Sequence, residues 1–437
     1  MKKIKICFLI ILLLVSSNSI FATDSVFSFE DDVKTQVVRT TSYMPTSSHR
    51  LAMGGAGLGL GGFYDSYLYN PANISKDGFK LEVPSLTITL NNVNSLINPV
   101  SGGDNIFETI ERLDYDQSAE LDLANLFISS IPIGASQVIT LDTNVGFKTR
   151  MIGLDFAVQE KLHSYKNDVN DSTISLISET NIAATMAIGF NLTLIKNVLS
   201  IDFGASGAFK FRAYSALMDN INSANLLDEE AIGDYLMESI PFASGYATPI
   251  TLGANINLPS GISISGVYRN FNGNYYMTGY PNLKTLINND ETIVAFVGED
   301  SLGDDSSVSE FESFVTKIPW SVDLGLSYEP KLLNEGLVKA QFSLDCIDCY
   351  DLFFNPNSEN ETDSLINQEF IDSLCFGAQF RFLNMVDFRA GINNNYMSIG
   401  TGFDFLILHM DASYLWNNDT NPISNDAFSL RFSVLSK

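Results

Sequence analysis

Strict alternation of apolar and polar residues governs the chain from about residue 140 onward. Ala184, Met186, Ile188, Phe190, Leu192 and Leu194 alternate with Thr185, Ala187, Gly189, Asn191 and Thr193. After a turn at Lys196-Asn197, Leu199, Ile201, Phe203, Ala205, Gly207, Phe209 and Phe211 oppose Ser200, Asp202, Gly204, Ser206, Ala208, Lys210 and Arg212. A period of two sends each set to one face of a strand. The same rhythm returns at Ile250–Leu258, in another strand after the Pro259-Ser-Gly261 turn, and at Trp320–Tyr328, Leu337–Cys346, Leu374–Phe382, Asp387–Ile392, Met397–Phe405, Leu408–Trp416 and Ala427–Leu435. Earlier strands are expected at Phe79–Leu90, Thr143–Thr149 and Met151–Gln159, and the phase change at Pro84 predicts a bulge in the first of them. The count comes to about fourteen strands, an even number as single-chain barrels favour.

The polar face sets the class. A sandwich would bury its apolar face and show water a generally charged one, whereas here the second face is rich in Gly, Ser and Asp, as a barrel lumen often is. The apolar set also runs for about ten residues, enough to cross a bilayer when tilted. The expected fold is therefore all-β, a transmembrane antiparallel β-barrel of about 14 strands. Three insertions interrupt it, near 91–135, 214–245 and 278–317. The first holds a helix-like stretch around Ile106–Leu126. The second holds another, Asn225–Ile240, which gathers Leu226, Leu227, Ile232, Tyr235 and Leu236 near one face. Long loops belong outside and short turns in the periplasm, so all three are assigned to the extracellular side.

Address and charge fit this picture. Lys2, Lys3 and Lys5 precede an apolar core, Phe8 to Val15, and a more polar run ending at Ala22: a cleavable export signal over 1–22. No later stretch approaches the roughly 20 apolar residues of a membrane helix. The chain is 45% hydrophobic yet carries a net charge of −26. Without the three signal lysines the balance is 22 basic against 51 acidic residues, or −29. Such a field repels nucleic acid. The acidity peaks between Thr285 and Thr316, which contains no Lys or Arg; its spacing matches no EF-hand and reads as a solvated loop, with no metal or cofactor expected.

Candidate chemistry is sparse. Cys346-Ile-Asp-Cys349 has redox or zinc spacing but continues a strand pattern, so with Cys375 these cysteines read as small wall residues, with room for one disulfide. His409, Asp411 and Ser413 share one strand face, but consecutive same-face residues stand roughly 7 Å apart along the backbone, too far for a relay, so they read as lumen lining. Gly57, Gly59 and Gly61 lack the strand–helix context of a nucleotide loop. The chain is not read as an enzyme.

One segment stands apart: Arg50-Leu-Ala-Met-Gly-Gly-Ala-Gly-Leu-Gly-Leu-Gly-Gly-Phe-Tyr-Asp-Ser-Tyr-Leu-Tyr-Asn-Pro-Ala72, between the signal and the first strand. A run of small residues, an acid, then Asn-Pro-Ala resembles the N-terminal plug of the FadL-type long-chain fatty-acid transporters of outer membranes. The resemblance implies a plug within an extension over 23–77, a barrel over 78–437, and plug or gating roles for Gly54, Gly55, Gly57, Asp65, Asn70, Pro71 and Ala72. It further implies that a hydrophobic small molecule or lipid, such as a long-chain fatty acid, is captured at the extracellular helices, passes the plug and leaves sideways through the wall. Leu226, Leu227, Ile232 and Leu236 are the expected capture residues. The alternative is a docking scaffold in the same membrane for another exported protein, which long acidic loops would serve equally well.

Overall fold

A computed structural model of the chain shows one closed sheet. It describes residues 35–436 apart from 41–42, 77, 99–104, 114, 117, 168–173, 197, 216–217, 222–240, 283–311, 319, 331–336, 350–372, 394–395 and 417–425. The signal, the acidic run at Asp290–Glu310 and the four expected capture leucines and isoleucine, Leu226, Leu227, Ile232 and Leu236, lie outside the described residues.

The wall has fourteen strands. They are β1 (Lys80–Asn91), β2 (Gly134–Lys148), β3 (Ile152–Lys166), β4 (Ile174–Ile195) and β5 (Leu199–Ser215); β6 (Phe242–Ala247 continued by Ile250–Asn257), β7 (Ile262–Phe271 continued by Tyr275–Tyr280) and β8 (Glu312–Thr316 continued by Ser321–Tyr328); then β9 (Val338–Cys346), β10 (Leu374–Phe382), β11 (Val386–Asn393), β12 (Met397–Phe405), β13 (Leu408–Trp416) and β14 (Ala427–Ser436). Each pairs antiparallel with its chain neighbours, and β1 pairs with both β2 and β14, which removes every edge. Both pairings of β1 shift register between Glu82 and Ser85, where Pro84 lacks a donor. Thr248-Pro249 likewise interrupts β6.

Several strands outrun their sequence pattern. β2 begins at Gly134 rather than near Thr143, and β4 reaches back to Ile174. At their far ends β3 and β4 bury both faces, so alternation fades although pairing continues. The first insertion opens on a short helix α4 (Val93–Ile97), and its helical stretch around Ile106–Leu126 is two helices, α5 (Ile106–Arg112) and α6 (Ala119–Ser130), with a capping box from Asn105 and Glu108 starting α5. The three insertions join β1 to β2, β5 to β6 and β7 to β8, so all leave the same end of the barrel. The connection from Cys346 to Leu374 leaves that end too, although its pattern does not single it out. Tight turns such as Thr149–Met151 and Leu383–Met385 close the other end.

The apolar set faces outward, with Met186, Ile188 and Phe190 each more than half exposed, while Asn181, Ala183, Ala187 and Gly189 of the same strand are buried inside. This inversion of a globular core places the protein in an outer membrane, because a closed sheet satisfies its own backbone in hydrocarbon. Cys346, Cys349 and Cys375 are buried and free rather than bridged, and Cys349 Sγ lies 2.9 Å from the carbonyl oxygen of Cys346. Purified protein is expected to migrate faster unboiled than boiled in detergent gels, and a migration insensitive to heat would contradict the closed barrel.

Candidate functional site within the lumen

The described residues ahead of β1 run through the barrel interior. A short helix α1 (Gln36–Thr40) comes first; α2 (Ser48–Ala52) then leads into tight glycine turns, followed by α3 (Ser66–Tyr69) and a 3₁₀ turn over Pro71–Ser75. Gly54, Gly55 and Gly57 have φ of 66°, 84° and 120°, a region that L side chains avoid. Gly54 also lies so close to β11 that an added Cβ would sit 2.6 Å from the Ile392 nitrogen. Its own N–H donates to Ser398 Oγ at 3.1 Å, and its carbonyl accepts from Asn393 at 3.2 Å. The N–H groups of Gly57 and Leu58 converge on one wall carboxylate, Asp345 Oδ2, at 2.7 and 2.8 Å.

Asn70, Pro71 and Ala72 form a fixed corner. Asn70 is extended, its Oδ1 accepts from the Ala72 N–H at 3.0 Å, and Pro71 occupies the first helical position, where its missing N–H costs nothing. The Asn70 amide donates to Leu58 O at 3.0 Å and to Asn255 Oδ1 of β6 at 2.8 Å. Asn255 returns a bond to Asn73 Oδ1 at 3.0 Å, and Asn73 in turn donates to Leu58 O at 3.0 Å. All three asparagines are fully buried. Such a network is worth making only when every member is satisfied.

Asp65 precedes α3 without capping it. It pairs instead with Arg431 of β14 at 3.2 Å, and Arg431 also binds Glu82 of β1. Burial by itself would raise the Asp65 carboxyl, but its neighbours, among them the Arg431 guanidinium and a hydrogen bond from Ser47, outweigh it and lower it to about 2. His49 is pushed down to about 3, chiefly by burial, so its ring is neutral at physiological pH and Arg431 supplies the cation. The His49 ring stacks on Phe63 at 3.9 Å and shares a 2.7 Å bond with Ser47.

What the sequence did not announce is the seat. Gly189, Gly204 and Gly253 are direct cross-strand partners on β4, β5 and β6, and a Cβ on any of them would strike Ile74, the Pro71-Ala72 backbone or Asn70. A second seat lies on β10 and β11, where Gly377 and Gly391 meet the Met53-Gly54 backbone. The glycines of the polar face are positions where two backbones touch. The signal was present in the alternation, but nothing in one strand tells which glycines will line up.

Wall charges pair along the other side. Arg389 binds Asp387 at 2.8 Å and also Asp411, and Arg381 binds Asp387 and Asp404. His409 lies between Asp404 and Asp411, 2.6 Å from the latter, and Ser413 faces Ser48 at 3.3 Å. These groups are committed to one another. Below the lumen segment a polar vestibule of about 830 Å³ opens toward the tight turns, lined by Lys76, Asp202, Asn257, Lys339 and Arg381.

At the loop end the lining turns apolar. Tyr214, Ala243, Ala247, Tyr275 and Met277 form one cluster with Val38 and with Ala124 and Ile128 of α6. Beneath it Arg212 is stacked over the Tyr275 ring at 4.4 Å, bonded to the carbonyl of Val38 at 2.7 Å, and 3.3 Å from Glu179. Lys210 donates to the carbonyl of Tyr43 at 2.7 Å. Two wall residues thus hold the backbone at Val38 and at Tyr43, positions whose sequence offered no hint of their place.

These features define a class: an outer-membrane β-barrel whose lumen is filled by its own N-terminal segment. No family model and no curated protein matches the chain. Among solved structures it is similar to the CymD monoaromatic hydrocarbon channel, at 12% identity over 89% of this chain and 97% of that one, with a TM-score of 0.43. Also similar are the toluene transporter TodX of Pseudomonas putida (11%, 91% and 98%, 0.44) and the toluene transporter TbuX of Ralstonia pickettii (10%, 90% and 98%, 0.44). At such identities the reading of function rests on this chain's own residues.

Proposed function

We propose that the protein moves hydrophobic small molecules, long-chain fatty acids among them, across the outer membrane by capture at the extracellular loops and plug-gated passage through the barrel. The observation that carries this reading is the vertical order of the lumen: a packed apolar cluster under the loops, the seated N-terminal segment beneath it, and a polar vestibule at the end with the tight turns. A general porin needs a wide, water-filled lumen lined with charge. Here the apolar cluster favours hydrophobic ligands by burial once it parts, while Arg212 and Lys210 beneath it would receive a carboxylate once the Val38 and Tyr43 carbonyls withdraw. Capture residues are proposed at Leu226, Leu227, Ile232 and Leu236; Phe107 and Tyr115, both more than 60% exposed on the first insertion, offer further apolar surface.

Protein reconstituted in liposomes tests this with fluorescent fatty acids and aromatic hydrocarbons. Uptake should exceed that of empty liposomes, and Leu226→Asp or Leu236→Asp should weaken it several-fold, since an unpaired charge in an apolar site is costly. Absence of binding and flux for both ligand classes would refute the proposal.

A further inference from the structure

The outer surface of the wall carries a second apolar feature, separate from the lumen. The outward positions Ala205, Ala254 and Gly266 on β5, β6 and β7 are small, whereas Phe190, Phe203 and Tyr268 around them are large. The result is a trench of about 800 Å³ running across the strands on the lipid-facing side, next to the turn at Met151. It crosses from β3 to β8; five strand spacings of about 4.8 Å make it roughly 24 Å long, the length of an extended acyl chain. Directly behind it the wall is a single backbone thick, because Gly189, Gly204 and Gly253 face the Pro71-Ala72 corner inside. Met151 and Ile152 line the β3 end of the trench, and the residue just before them, Arg150, is exposed on the Thr149–Met151 turn and in no ion pair among the described residues. That turn belongs to the end of the barrel with the tight turns, which faces the periplasm.

An unpaired cation at the end of an apolar trench calls for a ligand with an anionic head and a long chain. Membrane supplies one at that depth. We infer that the trench seats one acyl chain of an anionic phospholipid from the periplasmic leaflet, with its phosphate held by Arg150. The charge complementarity comes from Arg150 and the shape from the three small residues. This assignment does not depend on the transport reading.

Native mass spectrometry of the full-length protein, incubated with equimolar phosphatidylglycerol and phosphatidylethanolamine, tests it. Wild type should retain one phosphatidylglycerol at detergent concentrations that strip surrounding lipid. Arg150→Gln should lower that occupancy about fivefold, the worth of one cation at an anionic lipid surface. The double variant Ala254→Leu/Gly266→Leu fills the trench from outside, where a Cβ at Gly266 meets nothing closer than Leu324 at 3.8 Å, and should abolish retention. Heat-modifiable migration verifies that each variant is folded, and Ala254→Val alone serves if the double variant is not. Equal retention by the filled variant would show ordinary annular lipid, and loss of selectivity for phosphatidylglycerol without any effect of Arg150→Gln would remove the head-group site; either result overturns the proposal. So would a wild type that retains free fatty acid but no phospholipid.

Discussion

Gly204→Leu should turn a closed barrel into a leaking one. A Cβ at this position lands on the Pro71 carbonyl carbon and oxygen and the Ala72 nitrogen, which are backbone and cannot rotate away. Bonds from Asn70 and Asn73 to Asn255 on the neighbouring strand β6 tie that backbone to the same wall, so the corner must move as a unit. Overpacking of this kind costs about 1–3 kcal/mol, which at the upper end shifts plug occupancy by about two orders of magnitude. Gly207→Leu is the matched control: it lies on the same strand, faces outward and meets nothing within 4 Å. In planar bilayers Gly204→Leu should give stable ion conductance, while Gly207→Leu and wild type stay near baseline. Deleting Gly54–Ala72 should reproduce the leak. If Gly204→Leu folds with the same strand content and conducts no more than Gly207→Leu, the seat does not hold the plug.

Arg431→Met should be the most destabilising single substitution among the wall charges. Arg431 is buried and serves Asp65 from the lumen segment and Glu82 from β1. Replacing it leaves two buried carboxylates without a cation. Breaking a buried pair in this way costs about 3–5 kcal/mol, because the remaining charge keeps its desolvation penalty. Urea titration of refolding into lipid vesicles should show that loss, and Asp65→Asn combined with Arg431→Met should recover part of it by removing one stranded charge. Lys339→Met, at the rim of the open vestibule, should shift stability by less than about 1 kcal/mol. An Arg431→Met protein as stable as wild type would mean that water reaches this pair and that the plug is held elsewhere.

Much of the wall could be read along the chain because each strand states its own two faces. Met186, Ile188 and Phe190 were legible as lipid-facing from period alone, and Pro84 marked the register shift of β1. The lumen segment was legible as a stretch of glycines ending in Asn-Pro-Ala, since positive φ and a proline-started turn are local needs met by local residues. Strand ends were harder. β2 loses its alternation toward Gly134, where a register shift between Gln137 and Ile139 breaks the period and Val138 packs in one cluster with Ala124 and Ile128 of α6, so tertiary packing overrides the period there.

The partners of the lumen segment were not legible. Asp65 contacts Arg431, Gly57 contacts Asp345 and Asn70 contacts Asn255, across separations of 366, 288 and 185 residues that no local pattern encodes. The row of Gly189, Gly204 and Gly253 exists only after three strands come into register. By itself, then, the sequence determined strand faces, the membrane and the irregular backbone of the N-terminal segment, because these follow from periodicity and from φ preferences of single residues. Only the tertiary structure decided where that segment sits, which glycines seat it and which charges tie it down, because those depend on the register and closure of the sheet, a property of all fourteen strands together.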